Sequence, residues 1–278
     1  MSVQDMDTPV TIVSGTNRGV GFAIAQAIAA RSTPQILYAG SRAGKELGLK
    51  SGSPRSAIHY VKLDIADSTS IASLADRVDR DTGRVDRLIN NAGINVNYKS
   101  GMSPAGKAKQ TMDVNYRGTL EMNRRFLPLM RADARIINVS SVASHLRPFG
   151  TARANQFRSC RSINNVDALV AEFEQSYSQT SSVGRSRWPD PYSVSKACIN
   201  AMTRVMAREN PNVLINCCCP GWCNSDMGDF LGKAPKTAAE GAKIPLHLAF
   251  ADIGTMSGEF WEEPSVYSRG EGRVSTLG

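Results

Sequence analysis

The first thirty residues hold the pattern that restricts this chain most. An apolar run, Val10–Ser14 (VTIVS), leads into Ser14-Gly15-Thr16-Asn17-Arg18-Gly19-Val20-Gly21, and a segment with apolar residues at helical spacing follows from Gly19 to Arg31. A short run rich in β-branched residues favours a strand. Gly15 permits the tight turn after it, Gly19 lets backbone come close to a ligand, and Gly21 allows the helix to pack closely on the strand. A helix that starts there points free N–H groups at an anion such as a pyrophosphate. The spacing is GxxxGxG, which standing alone also fits an ordinary glycine turn.

The rest of the chain repeats the alternation. Strands are expected at Gln35–Gly40, Ala57–Ile65, Val85–Asn90, Arg135–Ser140 and Val213–Cys219, with GEFW (258–261) as a short seventh. Helices are expected at Ser68–Thr82, capped by Asp67 or Ser68, over one long stretch from about Ala105 to Met130, and at Pro191–Glu209. Strands alternating with helices imply a parallel sheet covered on both faces, and right-handed crossovers make it doubly wound, a Rossmann-type α/β fold. A length of 278 residues suits one such domain, 1–278. About 142–190 reads as an insertion before the last long helix, too short for a core of its own, and about 226–245 as a loop on the substrate side. In the insertion Val166, Leu169, Val170 and Phe173 fall on one helical face, while its flanks, Gly150–Arg161 and Ser178–Pro189, read as loops.

Charge and cysteine content narrow the function classes. The net charge is +8, but the Lys and Arg residues are scattered without a basic run, so no nucleic-acid partner is expected. Residues 1–9 lack an apolar signal core, and no apolar run approaches the ~18 residues a membrane span needs. The six cysteines include three in a row, Cys217-Cys218-Cys219, whose side chains would alternate between sheet faces. That fits reduced thiols in the cytoplasm better than a disulfide framework. His59, His145 and His247 show no ligand spacing, so no metal is expected.

Asp64 ends the third expected strand, where its carboxylate can accept from an adenine amine, and Asn90-Asn91-Ala92-Gly93 ends the fourth. In a parallel sheet these strand ends lie on one edge, beside the glycine turn. Together with Asn115 in DVNYRG, Ser140-Ser141, YSVSK (192–196) and PGWCNSDM (220–227), these segments resemble the short-chain dehydrogenase/reductase family over nearly the whole chain. The insertion and the CCPGW segment are similar to those of its monomeric NADPH-dependent carbonyl reductases. Ser14 stands where the family usually has Thr, and keeps the hydroxyl.

The resemblance implies a nicotinamide cofactor held by Gly15, Asn17, Arg18, Gly19, Val20, Gly21, Asp64, Ile65, Asn91, Ala92, Gly93, Pro220, Gly221 and Ser225. NAD needs an acid near the end of the second strand, whereas NADP needs cations there. That strand ends Ala39-Gly40-Ser41-Arg42, with Lys45 close by and no acid. Taken singly, Arg18 and Arg42 are also ordinary surface residues. Together they suit the 2′-phosphate of NADPH.

Tyr192 and Lys196 stand four apart and share a helix face. Reducing a carbonyl requires a proton for the developing alkoxide, and an ammonium near a phenol stabilises its phenolate. The resemblance implies that Tyr192 donates the proton and that Lys196 tunes it and holds the nicotinamide ribose. It further implies that Ser141, rather than Ser140, binds the carbonyl oxygen, and that Asn115 orders a water. Trp222 is expected at the substrate pocket, with Cys218 or Cys219 facing it. The function expected is reduction of a small ketone or aldehyde. The competing readings are a pathway-specific ketoreductase of secondary metabolism and a non-catalytic NADPH-binding regulatory protein. The inserted helix is expected to dock on the Ala105–Met130 and Pro191–Glu209 helices, leaving a monomer, with Phe149 and Trp188 near the pocket mouth.

Overall fold

The computed structural model describes residues 8–179, 188–224 and 232–275. Eight strands form one sheet in the order β3-β2-β1-β4-β5-β6-β7-β8. They are β1 (Val10–Ser14), β2 (Ile36–Ser41), β3 (Ala57–Lys62), β4 (Val85–Asn90), β5 (Met130–Val139), β6 (Leu214–Cys218), β7 (Phe260–Glu262) and β8 (Arg273–Val274). Pairing is parallel from β3 through β7, and β8 adds antiparallel to β7. The order reverses between β1 and β4, which opens a crevice at the carboxyl ends of the strands. No described helix is long and apolar enough to cross a membrane.

Alternation along the strands makes two cores. Ile12, Leu88, Ile136 and Ile215 pack on one face, while Val13, Ile89, Ile137 and Cys218 pack on the other. The second face is covered by α1 (Gly19–Ala29) and α9 (Lys243–Phe250), which follows the short α8 (Ala238–Gly241). The first is covered by α2 (Ser68–Thr82), α3 (Pro104–Thr111), α4 (Thr119–Phe126), α5 (Thr151–Arg158), α6 (Ile163–Ser178) and α7 (Pro191–Glu209). Helix α2 has the expected span. The Asp67 carboxylate accepts from Thr69 N–H at 2.9 Å, and Gly83 closes the helix with φ 65°.

Three expectations are corrected. The single helix over Ala105–Met130 is broken: Met112–Gly118 is a π-helical turn, Leu127–Leu129 tightens to a 3-10 turn, and Met130 already belongs to β5. A contact remote in sequence accompanies the π turn, because Asn115 is clasped to the backbone of Ile94. The flank read as a loop holds α5, whose only buried residues are Ala154 and Phe157, too few to show helical spacing. The loop expected over 226–245 contains α8 and the start of α9 in its described part. Phe149 and Trp188 are the residues expected near the pocket mouth. Both are buried in an aromatic cluster, with Phe157 edge-on to each and Phe173 edge-on to Trp188.

The docking of the insertion is as expected. Helix α6 lies on α3 and α7 and buries Val166, Leu169, Val170 and Phe173. Tyr116 donates to Asp167 at 2.8 Å, and Arg117 pairs with Glu174 at 2.8 Å. Arg204 and Arg208 of α7 donate to the carbonyls of Phe157 and Cys160 at 3.1 and 2.9 Å.

Candidate active site

The glycine turn is held from both sides. Thr16 binds the Gly40 carbonyl of β2 through its N–H and its hydroxyl, at 3.0 and 3.1 Å. On the other side the Ser14 hydroxyl accepts from Asn91 N–H at 3.1 Å and Ala92 N–H at 3.0 Å. The retained hydroxyl therefore ties the turn to the end of β4. Asn91 donates its amide to the Ser14 and Gly15 carbonyls at 3.0 and 3.2 Å. Gly15 has φ 72°, open to glycine at little cost. A Cβ on Gly21 would lie 2.1 Å from the Gly15 carbonyl oxygen, so only glycine lets α1 begin this close to the turn.

Helix α1 starts after Arg18 with no side-chain cap, so its first N–H groups are left for another acceptor. Asn17 and Arg18 are exposed at this start, and Gly19 and Val20 are half-buried. Arg42 is exposed directly after β2. The Asp64 carboxylate receives Ala66 N–H at 3.0 Å, and Ile65 is buried in the first core. All these residues lie at the carboxyl ends of β1 to β4. A cradle of glycines and uncapped N–H groups fits the pyrophosphate of a dinucleotide, with Arg18 and Arg42 exposed at the same strand ends.

The second half of the site forms where α7 meets β5. Asp190 caps α7, its carboxylate accepting from Ser193 N–H at 3.1 Å, and Pro191 occupies the first turn. Tyr192 and Lys196 therefore face the end of β5. The Lys196 amine donates to the Val139 carbonyl at 2.8 Å and lies 5.5 Å from the centre of the Tyr192 ring. The two serines bond to different partners. Ser140 donates to the Asn200 amide oxygen at 2.6 Å, which fastens β5 to α7, while the Ser141 hydroxyl is hydrogen-bonded to the Tyr192 phenol. Asn115 accepts from Ile94 N–H at 2.8 Å and donates to the Ile94 carbonyl at 2.9 Å and to the Ser195 hydroxyl at 3.0 Å. A Cβ on Gly93 would meet the Asn115 amide oxygen at 3.2 Å and the Lys196 amine at 3.7 Å, so the two halves touch there.

Burial sets the protonation states. It raises the Tyr192 phenol above its usual range, Cys219 adding to the rise and the Ser141 hydrogen bond opposing it. It pushes the Lys196 amine down to about 8. At neutral pH the phenol is protonated and the amine mostly charged. Cys217 is pushed up to about 12 by burial. Cys218 belongs to the core under α1 and α9, whereas Cys219 belongs to the core on the Tyr192 side, so of the two only Cys219 faces the site.

Beyond β6, Pro220, Gly221 and Trp222 are half-buried. Ser225 lies outside the described residues. Lys236, which the motifs do not single out, is 2% exposed, with its amine 2.7 Å from where a Gly221 Cβ would be. Asn200 and Ser195 also escape sequence reasoning, since both act through partners far away in the chain. Among the described residues no group of three His, Cys, Asp or Glu side chains is placed to hold a metal ion.

Comparison with known proteins bears on this arrangement. Residues 9–153 match the family model described as short chain dehydrogenase. The chain is 30% identical over 276 residues to carbonyl reductase (NADPH) 1 of Mus musculus, covering 93% of this chain and 97% of that one. It is 31% identical over 288 residues to short-chain dehydrogenase/reductase 1 of Saponaria officinalis, covering 92% and 94%. Among solved structures, salutaridine reductase from Papaver somniferum superposes with a TM-score of 0.76 at 26% identity, covering 91% of this chain and 99% of that one.

Proposed function

The chain belongs to the short chain dehydrogenase family of oxidoreductases, and from that premise we propose that it reduces a small ketone or aldehyde with NADPH, Tyr192 delivering the proton. The observation that carries this reading is the meeting of Ser141, Tyr192 and Lys196 beside the glycine cradle, with Gly93 against Asn115 and Lys196.

The residues of the cradle hold the cofactor. Gly15, Asn17, Gly19, Val20 and Gly21 receive the pyrophosphate at the start of α1, where no side chain competes for the N–H groups. Asp64 and Ile65 border the adenine, and Asn91, Ala92 and Gly93 line the crevice. Arg18 and Arg42 select the 2′-phosphate, since β2 ends without an acid to hold a free ribose hydroxyl. Pro220, Gly221 and Ser225 serve the nicotinamide end, and Trp222 borders the substrate. Bound NADPH supplies a hydride.

The Ser141 hydroxyl donates to the substrate oxygen as negative charge develops there. Tyr192, kept protonated by burial, gives its proton to that oxygen. The Lys196 ammonium stabilises the phenolate left behind, and Asn115 fixes the wall that positions it. Carbonyl reductase (NADPH) 1 of Mus musculus supports the cofactor choice by its similarity. The six cysteines are buried and free, which supports a reducing, cytoplasmic setting. The chain acts as a monomer, because α6 covers the outer faces of α3 and α7.

A second reading, a ketoreductase dedicated to one pathway of secondary metabolism, is favoured by the superposition on salutaridine reductase. One experiment addresses both. Loss of NADPH absorbance is followed against quinones, aromatic ketones, β-keto esters and aldehydes. Broad turnover favours the first reading, and turnover of a single class favours the second. Tyr192→Phe keeps the ring and should lower kcat at least ~100-fold with cofactor affinity unchanged. A Phe variant as fast as the parent would overturn the mechanism.

A further inference from the structure

At the opposite edge of the sheet, beside the starts of β1 and β2, Arg87 of β4 and the end of α9, lies a cavity of about 370 Å³. Arg31, Arg55 and Arg87 line it together with Gln35 and Phe250, and none of its lining residues is acidic. The guanidinium carbons of Arg31 and Arg87 lie 4.2 and 4.3 Å from the centre of the Phe250 ring. Both guanidiniums therefore stack against the one ring, which holds two like charges near each other. Part of this has a structural explanation: Arg87 donates Nε to the Ala249 carbonyl at 2.7 Å, where α9 ends. That leaves two features unaccounted for. Arg87 Nη1 is buried without a partner. Gln35 is 3% exposed, and its amide oxygen is also buried without a partner.

The local charge is unbalanced. Among the described residues neither Arg31 nor Arg55 has a carboxylate partner. Asp86, the acid next to Arg87, is occupied by Val10 N–H at 2.7 Å and by Arg84 and Arg131. Burial holds the Arg87 guanidinium below its usual range; Asp86 opposes this, and Arg135 and Arg31 add to it. An anion would answer both the idle donor and the crowded positive charge.

We propose that this cavity binds a small phosphate ester, its phosphate held by Arg31, Arg55 and Arg87 and a hydroxyl of the same molecule donating to Gln35. Three guanidiniums offer more N–H groups than the two oxygens of one carboxylate accept, whereas a phosphate brings three oxygens and up to two charges. The acceptor on Gln35 calls for a donor alongside the anion. Helix α1 begins at the glycine cradle, and its 11 residues run about 16 Å to the side of this cavity, so the two sites are separate.

The test is calorimetric titration of glycerol 3-phosphate, inorganic phosphate and acetate into protein saturated with NADPH, which fills the other anion site. Saturable binding of both phosphates is expected, glycerol 3-phosphate the tighter and acetate the weakest. Arg55→Gln, at an exposed position, should weaken phosphate binding about 10-fold or more. Arg42→Gln should leave it unchanged, which separates the two sites whether or not the reductase reading holds. Gln35→Met should remove the advantage of the ester over inorganic phosphate. Absence of saturable binding, acetate binding as tightly, or equal loss in Arg42→Gln would each overturn the proposal.

Discussion

In the turn after β1, a methyl group on Gly21 would sit 2.1 Å from the Gly15 carbonyl oxygen and 2.3 Å from the Asn91 amide nitrogen. In the insertion, α6 is fixed by side chains instead: Phe173 against Trp188 with ring centres 5.6 Å apart, and Glu174 against Arg117. The first region is specified by backbone that cannot move aside. The second is specified by volume and by polar contacts at its rim, which neighbours can partly compensate. One therefore has almost no freedom of residue type, while the other tolerates change at a graded cost. A function that needs an invariant cofactor and a variable substrate would distribute its constraints in this way.

The sharpest way to break the comparison is Gly21→Ala. The added Cβ meets backbone, so NADPH binding should be abolished, read by loss of the cofactor's fluorescence change; retained binding would show that the turn can yield. Next comes Phe173→Ala, which empties a fully buried site and should cost ~3–5 kcal/mol in urea unfolding. NADPH affinity should stay within about twofold of the parent. A large loss of affinity would mean that the insertion and the cradle are one cooperative unit. Arg42→Asp then tests a flexible side chain in the otherwise rigid half. It should lower the NADPH over NADH preference about 10- to 150-fold in kcat/KM, the range of a charge-assisted contact. A preference unmoved by this change would take Arg42 out of the cofactor site.

The mildest effect is expected where the two regions meet, on α7. Lys196 carries its charge below about pH 8 and loses it above. With the ammonium gone the phenolate of Tyr192 is less stabilised, so kcat/KM for reduction should be level below that pH and fall by up to about tenfold per unit above it. Lys196→Arg, whose guanidinium stays charged, should shift the fall upward. An unchanged profile would assign the fall to another group.

What could be read in the residues follows the same division. The cradle and the docking of α6 were legible because each rests on a local rule, glycine sterics or an apolar stripe at helical spacing. Strand alternation let only one of Ser140 and Ser141 face the site, and the family resemblance, not alternation, pointed to Ser141. The π turn at Met112–Gly118 was not, because Asn115 is clasped by Ile94, which lies on a loop 21 residues away. Helix α5 offered too few buried positions to show a period, and β8 is only two residues long. The burial of Lys236 depends on space beside Gly221, and the idle acceptor of Gln35 on the side chains around it. Neither leaves a mark in spacing.

The short strand β8 has a consequence for how the molecule behaves in a crowded solution. A parallel sheet ending at β7 would present an open row of N–H and C=O groups to any passing chain, the template from which aggregates grow. Here Arg273–Val274 folds back antiparallel on Trp261–Glu262, and Ser275 N–H closes on the Phe260 carbonyl at 2.7 Å. The new border is two residues wide and carries the exposed charge of Arg273. Too brief to register a foreign strand, it makes the last rung of the sheet a stop, and colloidal stability at this edge comes from backbone geometry as well as from the net charge.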